Sequence, residues 1–201
     1  MLLSVACASN EQSVCIDEQR FASEVLRSDF GDGQNFGQED FPSPIFGGPR
    51  GGGSSQGSLD VVSLGDGGLV EVGFSGTEIV DGLGPDFIVF ENPFLVDGDA
   101  ESPLAELARV SVSEDGETWH EFPCQPEAFP YTGCAGWHPV LANVEENDVS
   151  PFDAEAAGGD AFDLAELGLT RARWVRIVDI AGDDVAFDLD AVSVVNAECS
   201  E

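Results

Sequence analysis

Carboxylates beside glycine-rich turns are the side chains of this sequence with the clearest chemistry, the coordination of a hard cation. Calcium takes about six to eight oxygens, mostly carboxylate and carbonyl, and a glycine-rich turn is free to point its carbonyls inward. Three groups fit. The first is Asp81, Asp86, Glu91 and Asn92, set around an apolar run. In the second, Asp188 and Asp190 stand two residues apart, so a strand would show both on one face with Val192 continuing it. An aspartate projecting among core residues is costly unless neutralised or coordinated. In the third, Asp153 and Asp160 flank Ala156-Ala157-Gly158-Gly159, although Asp160 also reads as a helix N-cap, and that role outweighs ligation. Asp97-Gly98-Asp99-Ala100-Glu101 imitates the opening of an EF-hand loop. Ser102 and Ala108 then stand where that loop needs Gly and Glu, so the match fails.

Catalysis has weaker support. A carboxylate pair could hydrolyse a glycoside, but only at a fixed separation across a cleft, and among 39 Asp and Glu residues a pair specifies little. Gly53-Ser54-Ser55-Gln56-Gly57 matches the nucleophile-elbow pattern on paper. That elbow needs a strand before the serine and a helix after it, and neither is suggested. No Ser-His-Asp order, phosphate-binding loop or HExxH is present. The expectation is therefore a non-catalytic protein. Recognition of a sugar calls for flat rings on loops, with polar neighbours to read hydroxyls. Phe129, Tyr131, Trp137 and His138 lie on or beside a Pro-rich loop and form the candidate contact surface. The alternative is that Trp137 plugs one end of the fold.

Cys124 and Cys134 bracket that loop. With Cys7 set aside, Cys15, Cys124, Cys134 and Cys199 fit two disulfides, one closing the loop and one tying the chain ends, though parity alone leaves the connectivity open. His120, Cys124, Cys134 and His138 also form an H-x3-C and C-x3-H arrangement with zinc-ligand character, using the only two histidines. An oxidising compartment favours the disulfides. Ser4-Val5-Ala6 before Cys7 resembles the end of a lipoprotein signal peptide, with Ser4 a departure from the usual Leu and no basic segment ahead of it. The resemblance implies that residues 1–14 are a signal remnant and tether lipidated at Cys7, and that the protein is exported to the cell surface or outer membrane. Its membrane contact would be through the lipid alone. An ordinary N-terminus with an idle thiol is the alternative.

The surroundings that must hold these groups are acidic. Seven basic residues, all Arg, face 39 acidic ones, for a formal net charge of −32 in 201 residues. Binding to a phosphate backbone is excluded. Self-repulsion on this scale favours a monomer and invites divalent cations as a counterweight, although a merely solvated acidic surface also satisfies it. No run approaches the roughly 18 apolar residues of a membrane-spanning helix. At 42% hydrophobic, with 14 Phe, the chain can build a core.

Residues 31–57 read as a Gly- and Pro-rich surface loop. Runs 59–64 and 69–74 around Gly65-Asp66-Gly67-Gly68 read as a hairpin, and 86–91 as a strand buried on both sides. Arg109 to Ser113 and Thr118 to Phe122 flank a Glu114-Asp115-Gly116 turn, and 173–180 and 187–195 supply further strands. One short helix is expected, with Asp160 as cap, 161–167 as body and Gly168 as stop. The whole points to an all-β antiparallel sandwich spanning 15–201 as a single domain.

Val110-Ser111-Val112-Ser113-Glu114-Asp115-Gly116-Glu117-Thr118-Trp119 and Ala172-Arg173-Trp174-Val175-Arg176-Ile177 resemble the discoidin-like, coagulation-factor type C modules of the galactose-binding-like superfamily. Taken with Gly84-Pro85-Asp86-Phe87-Ile88-Val89-Phe90-Glu91-Asn92-Pro93, Ala157-Gly158-Gly159-Asp160 and Phe187-Asp188-Leu189-Asp190-Ala191-Val192, the chain looks like a group of bacterial cell-surface proteins built on that sandwich. The resemblance covers about residues 21–197 and implies a jelly-roll-like sandwich, calcium stabilisation, and adhesion to a glycan or protein. It carries calcium ligation to Glu91, Asp188 and Asp190. Trp119 and Trp174 are expected in the core, and Arg173 and Arg176 in pairs with carboxylates. A structural envelope or matrix component without a discrete ligand is the remaining alternative.

Overall fold

The computed structural model describes residues 15–200 except 35, 181, 183 and 184, so the 1–14 tether and the Cys7 lipidation site lie outside the described residues. In chain order the strands are β1 (Glu24–Asp29), β2 (Val62–Ser63), β3 (Leu69–Gly73), β4 (Thr77–Val80), β5 (Phe87–Phe90), β6 (Phe94–Leu95), β7 (Pro103–Leu104) and β8 (Ala108–Ser113). They continue with β9 (His120–Glu121), β10 (Asp160–Phe162), β11 (Arg171–Ala172), β12 (Trp174–Asp179), β13 (Asp188–Leu189), β14 (Ala191–Val194) and β15 (Ala197–Cys199). All pairings between them are antiparallel. The fold is all-β.

One layer is a five-stranded sheet in the order β1-β3-β12-β8-β9. Strand β12 alternates between half-buried and buried residues, so Val175 and Ile177 face inward while Trp174 and Arg176 face out. Register lines Val175 up with Val72 and Val112, and Ile177 with Val70 and Val110, giving two inward rows of branched side chains. The opposing layer is centred on β5, between β10 and β14. Phe87 and Val89 join Val192, Val194 and Phe162 in the same core as those rows. Ile88 and Phe90 point the other way, into a second cluster with Val140, Ala142 and Ala157. Apolar burial on both faces is why 87–90 reads as an unbroken apolar run. Each such side chain contributes about 1.5–3 kcal/mol.

Several expectations change. The 59–64 and 69–74 runs do not pair with each other: β2 pairs with β13, whereas β3 pairs with β1 and β12. The Gly-rich turn between them closes locally, Gly68 N–H donating to Gly65 O at 2.7 Å, but hands the chain from one sheet to another. The helix is shorter and of a different kind. Asp160 opens strand β10; Asp163 caps a single 3-10 turn, Leu164–Leu167, by accepting from Ala165 N–H at 2.8 Å, and Gly168 ends it with φ 67°. The 31–57 segment packs against the molecule, with Ile45 in the core and Gly48 and Gly51 buried. Trp119 and Trp174 are half-buried on the outer face of the five-stranded sheet, not in the core. Trp174 lies on Gly73, where an added Cβ would stand 2.4 Å from its ring, and the Arg176 guanidinium covers Trp119 at 3.9 Å. The arginines pair as expected: Arg176 Nη2 donates to Glu71 Oε1 at 2.6 Å, and Arg173 Nε lies 3.7 Å from Glu78.

Cys15 and Cys199 are joined at 2.14 Å, tying the start of the described chain to β15, and Cys124 and Cys134 at 2.12 Å. Sulfurs joined in this way have no thiolate to offer zinc. The disulfides are compatible with an exported protein. Among the described residues no helix is long and apolar enough to cross a membrane.

Candidate functional site

Strand β5 enters through Asp86 and leaves through Glu91, and the two carboxyls meet opposite fates. Asp86 is fully buried and fully used: Oδ1 accepts from Gly82 N–H and Asn196 Nδ2, and Oδ2 from Leu164 N–H, each at 2.8 Å. It clamps the entry of β5 to the 3-10 turn and to the end of β14. Carboxylate oxygens of Asp81, Asp86 and Asp163 lie within 4.8 Å of one another, a spacing that suits an ion. The oxygens of Asp86 are already occupied, Asp163 Oδ1 caps its turn, and Asp81 is exposed.

Glu91 is 1% exposed. Its Oε1 accepts from Asp188 N–H at 3.3 Å, while Oε2 is buried with no hydrogen-bond partner. Beside it stands the carboxyl of Glu106, from the segment between β7 and β8, and next to that Asp188 of β13. Burial, followed by the neighbouring Glu106 charge, pushes the Glu91 carboxyl well above the usual range. Burial, followed by Asp188, raises Glu106 to about 7. Asp188 is raised by burial, against hydrogen bonds from the side chains of Ser63 and Asn92. Asn92 Oδ1 in turn accepts from Ser58 N–H at 2.5 Å. Asp179, buried beneath, adds its charge to Glu106 and Asp188 while accepting from Gly67 and Phe187 N–H at 3.0 and 2.8 Å. The charges acting on these three carboxyls are all negative and all raise them; what opposes the rise is hydrogen bonding, from the Asn92 and Asp188 backbone to Glu91 and between the Glu91 and Glu106 side chains.

The second expected pair separates. Asp188 belongs to β13, paired with β2, while Asp190 follows that strand, and its N–H donates to Phe90 O at 3.0 Å. Asp190 is buried with both oxygens accepting from Arg50 N–H, at 3.1 and 2.9 Å. Burial, against those hydrogen bonds, raises it to about 8. So Glu91, Asn92 and Asp188 come together, Asp86 and Asp190 are satisfied elsewhere by N–H donors, and Glu106 joins the group without having been expected. The only signal for Glu106 is a lone acid between Ala105 and Leu107 at the entrance to an apolar strand.

Asp160 has a different task. Its Oδ2 accepts from Gly136 N–H at 2.7 Å and Trp137 N–H at 3.2 Å, and Oδ1 pairs with His138 Nδ1 at 2.7 Å. Gly136, at φ 96°, presses so closely on Glu106 O that a Cβ there would sit 1.9 Å away. The backbone beneath Trp137 and His138 is thereby fixed. Above it Phe129 meets Tyr131 at 6.1 Å and Trp137 at 5.6 Å, edge to face, and Tyr131 meets Trp137 at 6.4 Å. His138 lies against Trp137 at 3.4 Å between ring centroids. Phe129 and His138 are exposed, Tyr131 and Trp137 half-buried, so Trp137 belongs to a ring cluster open to solvent.

No model of a known protein family matches the chain, and no curated protein matches it. A hollow of about 800 Å³ lies elsewhere, lined in part by Phe36, Glu39, Leu59, Asp60, Arg50 and Glu145. Arg50 there is spent on Glu145 at 2.8 Å, and no orphaned buried atom faces it, so nothing in the hollow demands a ligand.

Proposed function

We propose that this protein is an exported, non-catalytic binding module of the bacterial cell surface, anchored through Cys7, calcium-stabilised, and adhering to a glycan or protein. The observation that carries this reading is the solvent-open ring cluster of Phe129 and Tyr131, on the loop closed by Cys124–Cys134, with Trp137 and His138 beside that loop and footed on Asp160. Rings held edge to face present flat area without losing side-chain freedom on contact, which is what recognition of a pyranose face or an apolar side chain needs. The resemblance to discoidin-like modules supports the same use, and the disulfides support export.

The test is a glycan array probed with labelled protein in calcium and in chelator, with Trp137→Ala alongside. The expected result is selective binding by the wild type that falls about tenfold or more in Trp137→Ala while its melting temperature holds. Equal binding by the variant removes the platform from the reading. A blank array returns the protein to a structural envelope role, which its acidic surface and tied ends also suit.

A further inference from the structure

The geometry points to an aromatic cage for a quaternary ammonium group, formed by Phe129, Tyr131 and Trp137. The three ring planes meet close to right angles: 87° for Phe129 with Trp137, 90° for Phe129 with Tyr131 and 75° for Tyr131 with Trp137. In the same order their centroids stand 5.6, 6.1 and 6.4 Å apart. Rings so disposed are three walls of a corner, and a point before all three lies about 4 Å from each centroid, that spacing over the square root of two. A cation held over a ring face needs about 6 Å or less, so a trimethylammonium group in the corner reaches three rings at once. The walls are set before a ligand arrives: Tyr131 O accepts from Cys134 N–H at 3.0 Å inside the disulfide loop, and Trp137 is held by Asp160 through its N–H and backed by the His138 ring. Ring faces cannot replace the water of a metal ion or of a primary ammonium as oxygens do, which selects the weakly hydrated methylated cation.

The second observation is that this corner lacks the cation the chain supplies to other rings. Arg20 covers Phe152 at 3.7 Å and Arg176 covers Trp119 at 3.9 Å, and among the described residues no such contact reaches Phe129, Tyr131 or Trp137. The sequence has no Lys, and its seven arginines are paired with Asp or Glu. The charge that completes the corner has to come from outside. A formal net charge of −32 draws net cations toward the surface and repels phosphate, and Glu127, exposed on the same loop, has the attracting sign. The carrier is therefore a small net-cationic molecule of the choline type and not a phosphorylated headgroup. The inference rests on the reading of these rings as a contact surface, given above, and names the chemistry of the ligand; it does not depend on calcium.

The experiment titrates the full-length protein with choline, with its neutral tert-butyl isostere and with phosphocholine, read by calorimetry and by the shifts of the Phe129, Tyr131 and Trp137 ring protons. Choline is expected to bind at least about tenfold more tightly than the isostere, to exceed phosphocholine, and to move these ring protons ahead of others. Phe129→Leu, at an exposed position, keeps apolar area but removes one ring face; it weakens choline by about threefold or more and leaves the isostere unchanged, with melting as in the wild type. Trp137→Ala loses about tenfold or more for choline. Equal affinity for choline and the isostere overturns the proposal and leaves an apolar contact patch. Shifts that spread over the acidic surface and spare the three rings overturn it as attraction to net charge alone. Tighter binding of phosphocholine overturns the choice of carrier. Array binding that depends on Trp137, with no response to choline, keeps the contact surface and removes the cage, whereas choline binding beside a blank array keeps the cage and removes the glycan.

Discussion

Asp86 and Glu91 stand at the two ends of one four-residue strand, both buried, and what separates them is the count of donors that reach them. Asp86 collects the N–H of nearby Gly82 together with the Leu164 N–H and the Asn196 amide from two segments distant in sequence, so it orders the chain as a knot does. Replacing it with alanine strands the N–H donors of Gly82 and Leu164 and takes from the Asn196 amide one of its two acceptors, leaving Pro85 O. At about 1–3 kcal/mol for each buried donor, and with some relieved by water at the Gly82 side, Asp86→Ala loses about 3–5 kcal/mol. The urea midpoint measures this, and a loss below about 1 kcal/mol would show that the three segments hold together without the carboxylate. Asp86→Asn falls between, since its amide nitrogen must then face an N–H.

The turn between β8 and β9 shows how far local chemistry determines an element. Asp115 Oδ1 accepts from Thr118 and Glu117 N–H at 2.7 and 2.8 Å and from Ser113 Oγ at 3.1 Å, and Gly116 takes φ 75°. Those bonds, from Thr118 first and Glu117 next, hold the Asp115 carboxyl down at about 2. The stability it contributes is complete above the ordinary aspartate value of about 4 and is lost as the pH falls toward about 2. Melting of the wild type therefore declines more steeply than that of Asp115→Asn between those limits, and parallel acid limbs would remove Asp115 from the account. This turn was legible because every bond in it spans three residues or fewer. The apolar run of β5 was legible for a similar reason, its pattern being its own. The 65–68 turn was equally local, but which sheet receives each arm depends on β13 and β12, more than a hundred residues away. Asp160 accepts from the distant Gly136 and Trp137 N–H groups whereas Asp163 accepts from the local Ala165 N–H, and nothing in the sequence around them says which of the two is free to cap. Glu106 was illegible for the same cause: its neighbours Glu91 and Asp188 lie on other segments.

The whole molecule carries a formal charge of −32, and its seven arginines are all committed to pairs within reach of Asp or Glu. Most of those pairs are at least partly exposed, with Arg176–Glu71 the more sheltered exception. Exposed pairs are worth little, about 0–1 kcal/mol each, and weaken in salt. The repulsion among the remaining carboxylates is the larger and longer-ranged effect, so it governs the response to ionic strength. Raising sodium chloride from about 0.01 to about 0.15 M shortens the screening length from about 30 to about 8 Å, which relieves repulsion across the molecule while hardly touching groups in van der Waals contact. The melting temperature therefore climbs with sodium chloride in the presence of chelator, where no divalent ion contributes. Glu106→Gln and the wild type climb alike, since this effect belongs to the surface as a whole. A melting temperature that stays flat or falls would mean that the ion pairs outweigh the repulsion.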